Sequence, residues 1–210
     1  IEIDRDLIAN LSPRLPANAS IVAGDVLDVD LLATLSSVEA ATPVRIAGNL
    51  PYNVSSPILF RLLELQRRRL LADATLMLQR EVADRIVARP GTAEYGVLSV
   101  LVQWRAGVTR LLTIPPGAFR PPPSVRSALI HLAFRPPLFQ VVDERLFERM
   151  VRGMFTQRRK TLANALARLA AVLSLSAADV LRRAALDPRR RPETLEIVEI
   201  ASLADVFAAV

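Results

Sequence analysis

At 210 residues, 51% of them apolar, the chain is long enough for one large domain or two small ones and can bury a sizeable core. It has no cysteine, which excludes disulfides and thiolate metal sites, and its longest apolar run, Val97 to Trp104, is too short to span a membrane and already contains Ser99 and Gln103. The net charge of +6, from 26 arginines and the single lysine Lys160, favours a polyanionic partner, although an arginine-biased composition alone gives the same sign.

Ile1 to Asp4 reads as the end of a strand. Arg5 to Leu15 places Leu7, Ile8, Leu11 and Leu15 at helical spacing, and Pro16 stops it. Ile21 to Gly24 is a second expected strand, ending at Asp25, and Asp28 is expected to cap a helix through about Leu35. Val44 to Ala47 is a third strand. It runs into Gly48-Asn49-Leu50-Pro51-Tyr52-Asn53, after which Ser56, as N-cap, and Pro57 open an amphipathic helix. Further strands are expected over Ala74 to Leu78, Val108 to Ile114 and Val125 to Phe134, the last two paired. Helices are expected over Glu81 to Ala88 and Gly96 to Arg105. Alternating strands and helices predict a parallel α/β sheet.

Arg135-Pro136-Pro137 marks a boundary, so residues 1–136 and 137–210 are expected to form two domains, the second purely helical. Its apolar stripes are Phe147, Met150, Val151, Met154 and Phe155; Leu162, Ala165, Leu166 and Leu169; and Leu203, Val206, Phe207 and Val210. Ser176 with Asp179, and Ser202 with Asp205, have capping-box spacing. Two basic clusters stand between the helices: Arg158-Arg159-Lys160 and Arg189-Arg190-Arg191. Either is solvated surface or a phosphate contact, and two in one small helical domain favour RNA.

Glu2, Asp25 and Asn49 lie 23 and 24 residues apart, about one strand-helix unit each time. Right-handed crossovers would set all three at the carboxyl edge of the sheet, where open α/β folds bind ligands. Each acid alone reads more readily as a helix cap or a solvated loop residue, and the shared spacing is the stronger evidence. Asn49-Leu50-Pro51-Tyr52 is either a strand-to-helix turn with a buried tyrosine or a cradle for a flat, amine-bearing ring. The amide and a loop carbonyl would accept from the amine, and Tyr52 would offer a stacking face. Phe119, on the stiff loop Pro115 to Pro123, either stacks on an extruded base or plugs the core beneath. His131 alternates with apolar neighbours and is expected to be structural.

The Asn-Leu-Pro-Tyr loop resembles that of S-adenosylmethionine-dependent amino-methyltransferases. Beyond it, six collinear stretches resemble the bacterial small-subunit ribosomal RNA adenine dimethyltransferases, the KsgA/RsmA family. They are Ile1 to Leu7, Gly48 to Asn53, Met77 to Val82, Tyr95 to Val100, Pro115 to Ser127, and Phe155 to Leu162. The macrolide-resistance methyltransferases share the loop but match Gln157 to Leu162 less well, and a non-catalytic RNA-binding factor on the same fold is the other alternative. The resemblance implies a class I, Rossmann-like methyltransferase sheet with a small all-α C-terminal domain. It implies S-adenosylmethionine held by Glu2, Asp25, Val26 and Asn49, with no metal. It further implies catalysis by Asn49, Leu50, Pro51, Tyr52 and Phe119, and dimethylation of two adjacent adenosines in small-subunit ribosomal RNA, bound by the two basic clusters. A monomeric cytoplasmic protein working on the small ribosomal subunit, without a membrane, is expected. The family pattern also has a first strand and a Gly-rich turn ahead of the acid matched by Glu2. The seven glycines here include no Gly-x-Gly, so the chain is expected to be part of a longer one and to bind the cofactor weakly by itself.

Overall fold

The computed structural model describes residues 1–38 and 41–209. Near the N-terminus, Glu2 and Ala23 form a single parallel bridge, in which Glu2 N–H donates to Val22 O at 3.0 Å and Gly24 N–H to Glu2 O at 2.9 Å. The two strands expected there shorten to this bridge, because no further ladder continues them among the described residues. Helix α1 (Arg5–Leu11) is capped by the Asp4 carboxylate. It stops short of the expected Leu15 because Pro13 has no N–H to extend it, and the chain tightens into a 3-10 turn, Ser12–Arg14. Helix α2 (Leu31–Ser37) is capped by Asp30 rather than the expected Asp28.

Strand β1 (Val44–Asn49) leads to α3 (Ser55–Arg67), then to β2 (Leu71–Gln79) and α4 (Arg80–Val87). Ser56 and Pro57 lie inside the first turn of α3 instead of opening it. The N-cap is Val54, without a side-chain cap, and proline is tolerated where the helix N–H has no partner anyway. Helix α5 (Val97–Arg105) precedes β3 (Ala106–Ile114) and β4 (Ser127–Phe134). The sheet order is β1-β2-β4-β3: β1 and β2 are parallel as predicted, whereas β4 inserts between β2 and β3 antiparallel to both. Ala74, Leu76, Leu78, Ala128, Ile130 and Leu132 form the buried face of the sheet, under α3, α4 and α5. The opposite face is half-open and holds the Arg45–Asp73 ion pair and a 3.2 Å hydrogen bond between Thr75 and His131.

Helices α6 (Glu144–Thr156), α7 (Leu162–Val172), α8 (Ala177–Arg183) and α9 (Ile197–Ala208) follow. Their expected apolar faces are buried at Phe147, Met150, Val151, Met154, Leu162, Ala165, Leu166, Leu203 and Phe207; Val210 lies outside the described residues. Ser176 does cap α8. Ser202 and Asp205 instead lie within α9, whose start is Glu196 with Glu199. Asp205 accepts from Val142 N–H at 2.7 Å. The helical part docks directly on the sheet part. Trp104 Nε1 donates to Phe139 O at 2.8 Å, and Arg105 donates to Glu144 at 2.6 Å. Tyr95 donates to Leu195 O at 3.0 Å with its ring edge-on to Phe155. Burial pushes the Tyr95 hydroxyl far above its usual range, with Glu196 and Glu199 adding to the effect, so this hydroxyl stays a donor. No single helix among the described residues is long and apolar enough to cross a membrane.

Candidate active site and nucleic-acid interface

Gly48, the last half-buried residue of β1, faces Leu76 of β2; a Cβ there would sit 3.6 Å from the Leu76 side chain and 3.3 Å from that of Leu50. The chain then turns. Leu50 N–H donates to Met77 O at 2.8 Å and the Leu50 side chain is buried, while Asn49 and Pro51 are exposed on either side of it. Val54 N–H closes the turn on Pro51 O at 3.2 Å. The Tyr52 hydroxyl lies 2.6 Å from Ser127 Oγ, so the half-buried ring is fixed at its far end. Ser127 is fully buried at the start of β4, where Gln79 and Ile114 are its partners across the sheet. The Asn49 loop is therefore clamped at both its second and fourth residues, and the exposed amide between β1 and the clamp is the group presented outward.

The same edge carries Phe119. The loop between β3 and β4 starts at Ile114 and returns at Ser127, and Phe119 N–H donates to Pro116 O at 3.1 Å after a 3-10 turn, Pro116–Ala118. The Phe119 ring is half-buried. Both aromatics thus belong to loops rooted at one end of the sheet, and Ser127 joins the two roots.

The Glu2–Ala23 bridge brings the two expected cofactor acids together at the ends of parallel segments. Glu2 Oε1 accepts from the amides of Ile3 and Asp4, both at 2.9 Å, and Asp25 Oδ1 from Leu27 N–H at 2.8 Å, which leaves each carboxylate a second oxygen. Gly24, at φ +152°, makes the turn between them; a Cβ there would meet Val29 Cγ2 at 3.0 Å. Val26 is half-buried beside Asp25. Arg61 of α3 donates to the carbonyls of Leu27 and Val29 and so ties this turn to the sheet part. No ladder joins the Glu2–Ala23 pair to β1 among the described residues.

The two basic clusters are neighbours. At the start of α7, Leu162 N–H donates to Arg190 O at 2.7 Å and Ala163 N–H to Pro188 O at 3.2 Å. Cluster members differ in what they can do. Arg158 donates to Thr92 O at 3.1 Å and is half-buried, whereas Arg159, Lys160 and Arg191 are exposed. Arg189 is paired with Asp187, which holds the Asp187 carboxyl below its usual range. Arg190 departs from the sequence expectation. It chelates Glu199 with 2.5 and 2.9 Å bonds and also donates to Thr194 Oγ1 and O. With donors engaged by both Glu199 of α9 and Thr194, Arg190 fastens the loop and has little left to offer a phosphate. The Arg190 hydrogen bond is also what chiefly lowers the Glu199 carboxyl.

Two groups that shape the site carry little signal in the sequence. Ser127 and Arg61 act across 75 and 34 residues of chain. Arg145, Arg149 and Arg152 do show a pattern, the helical spacing i, i+4, i+7 within Glu144 to Arg152.

Residues 1–203 match the family model described as ribosomal RNA adenine dimethylase. A ribosomal RNA small subunit methyltransferase A from Xanthomonas euvesicatoria pv. vesicatoria is 47% identical over 100% of this chain and 76% of its own length. One from Acinetobacter baylyi is 43% identical over 98% and 72%. In fold, the chain superposes on the crystal structure of a dimethyladenosine transferase from Plasmodium falciparum with TM-score 0.73, at 21% identity and covering 96% of this chain and 78% of that one. The fold is accordingly the Rossmann-like methyltransferase fold, and the chain belongs to the ribosomal RNA adenine dimethylase family.

Proposed function

We propose that the chain carries out the N6-dimethylation of two adjacent adenosines in small-subunit ribosomal RNA, with S-adenosylmethionine as methyl donor. The observation that carries the reading is the clamped Asn49 loop: Leu50 on Met77, Tyr52 on Ser127, and the Asn49 amide exposed just ahead of them at the end of β1. An adenine extruded from its stack would lie between Tyr52 and Phe119. Its amine would donate to Asn49 Oδ1 and to a backbone carbonyl. Pro51 O already accepts from Val54 N–H, so Leu50 O is the better second acceptor. Acceptors on the amine hydrogens draw the nitrogen lone pair out of conjugation with the ring and localise it toward the carbon it attacks; two serve the first transfer and one the second, since the monomethylated amine keeps a single N–H. Holding that geometry supplies most of the acceleration.

S-adenosylmethionine supplies an electrophilic methyl group. The carboxylates of Glu2 and Asp25 suit the donors of its adenosine half, the ribose hydroxyls and the ring amine, and Val26 offers the ring an apolar contact. Residues 137–210 are read as the RNA-binding domain, with Arg159, Lys160 and Arg191 as the outward cations of its two clusters. Relatives named for the small subunit favour this reading over the macrolide-resistance type.

The test is tritiated methyl incorporation into unmethylated small-subunit RNA, followed by digestion and mass spectrometry of the nucleosides. It is run in an enzyme that carries the family's Gly-rich turn ahead of Glu2. N6,N6-dimethyladenosine at two neighbouring positions is expected. Incorporation only into large-subunit RNA, or none, would refute the reading.

A further inference from the structure

Helix α6 sorts its charges onto two adjoining strips, Glu148 lying about 40° round the helix from Arg152. Glu144 and Glu148, one turn apart, face the sheet part: Glu144 accepts from Arg105 at 2.6 Å and lies 3.6 Å from Arg67, and Glu148 accepts from Arg67 at 2.7 Å. Arg145, Arg149 and Arg152 occupy the exposed side. At 100° and 1.5 Å per residue they share a stripe roughly 60° wide and about 10 Å long. Among the described residues none of the three forms an ion pair. Asp143, the N-cap, is held below the usual carboxylate range first by Leu146 N–H, and Arg149 and Arg145 contribute less. Because Glu144 and Glu148 are paired inward, the exposed charged residues within α6 itself are all cationic, with Asp143 as the one acid at its N-terminal end.

The stripe has a direction. Arg67, at the C-terminal end of α3, meets Glu144 and Glu148, while Phe60, two turns earlier, carries the Arg152 guanidinium over its ring at 4.1 Å. Helices α3 and α6 are therefore antiparallel, and the C-terminal end of α6 lies toward the start of α3, which follows directly from the Asn49 loop. Arg159 and Lys160 come next in the chain. The three arginines thus extend the existing cluster away from the active loop along a rigid helix.

We propose that Arg145, Arg149 and Arg152 form a phosphate track for the stretch of RNA that runs on from the base held at Asn49. The inference rests on the RNA-substrate reading above and says where that strand goes. Arginine suits phosphate because its planar fork can donate twice. The exposed side of α6 offers only Arg145, Arg149, Arg152, Gly153 and Thr156, with no large apolar residue to enter a lipid surface.

The experiment measures binding of the chain to a transcript of small-subunit ribosomal RNA from about 50 to 200 mM salt, the range over which phosphate contacts are lost fastest. The variants are Arg145→Gln/Arg149→Gln and the triple with Arg152→Gln. Urea midpoints check the fold, and Arg152→Lys keeps the charge where the Phe60 contact could matter. Each neutralised arginine should flatten the slope of log K against log salt by about 0.7 to 0.9, so the double loses roughly 1.5 and the triple roughly 2.5. Arg152→Lys should keep the wild-type slope. An unchanged slope in both multiple variants, with steep wild-type binding, would overturn the track and leave the RNA reading standing. Salt-independent or absent wild-type binding would overturn both. Loss of binding to phosphatidylserine vesicles with an unchanged RNA slope would assign the stripe to membranes instead.

Discussion

Replacing Asn49 with alanine separates catalysis from folding. The side chain is exposed at the end of β1, and the loop is held by groups that the substitution does not touch: Leu50 N–H on Met77 O at 2.8 Å and the Tyr52 hydroxyl on Ser127 at 2.6 Å. Asn49 itself buries nothing, so the change in stability should stay within about 0.5 kcal/mol. The reaction loses one oriented acceptor at the attacking nitrogen. Removing one such preorganised hydrogen-bonding group at a reacting centre costs about 2.7 to 4 kcal/mol, which is roughly 100- to 1000-fold in turnover. The assay is methyl incorporation at saturating RNA and cofactor, in an enzyme with the Gly-rich turn, alongside a urea titration. Turnover within a few-fold of wild type would remove Asn49 from the chemistry. A large drop in the urea midpoint would show that the amide supports the fold and that the clamp has been misread.

Tyr52→Phe should cost about 1 to 3 kcal/mol by urea titration, because it leaves the fully buried Ser127 Oγ without its partner; adding Ser127→Ala should recover most of that. Glu199 has a folded pKa lowered by Arg190 from its ordinary value of 4.5, so its stabilisation is present above that value and is lost as pH falls through the folded one. Glu199→Gln should therefore be the less stable form near neutrality, and its unfolding midpoint should converge with wild type in acid; parallel curves would deny the pair a role. Changing Arg158, Arg159 and Lys160 to alanine should flatten the salt dependence of RNA binding by roughly 0.7 per lost contact to a single strand, with no change in cofactor affinity.

The parts of this molecule that were legible in the sequence are those written within a few neighbouring residues. Asn49 to Tyr52 stands at the end of a short apolar run, and the helix spacing of Leu162, Ala165 and Leu166 needs only one turn to be seen. Order within the sheet was not legible, because nothing local in Ser127 to Phe134 says that it will pass between β2 and β3. The Tyr52–Ser127 clamp was hidden for the same reason: a serine opening an apolar strand carries no mark of a partner 75 residues earlier. Ser202 and Asp205 show the opposite error. Their spacing satisfies the capping pattern, but the buried residues of α9 lie on both sides of them, Ile197 and Ile200 before, Leu203 and Ala204 between and Phe207 after, so burial along the helix outweighs a local capping preference.

Charge was the hardest feature to read, and the reason bears on function. A run of arginines in the sequence says how many cations are present and not how many are spent. Arg67 heads such a run yet serves Glu148, and Arg190 sits at the centre of another yet serves Glu199. The acids that consume them lie on α6 and α9, out of sight of any window on the arginines themselves. Once those pairs are assigned, the exposed cations of the helical part that form no ion pair among the described residues include Arg159, Lys160 and Arg191 and the α6 stripe, with Arg168 and Arg183 on α7 and α8. On the proposed reading, a polyanion that follows the α6 stripe would be led toward the loop that displays Asn49. The net charge of +6 therefore matters less by its size than by the inward pairing of the acids, which leaves the outward face of α6 positive.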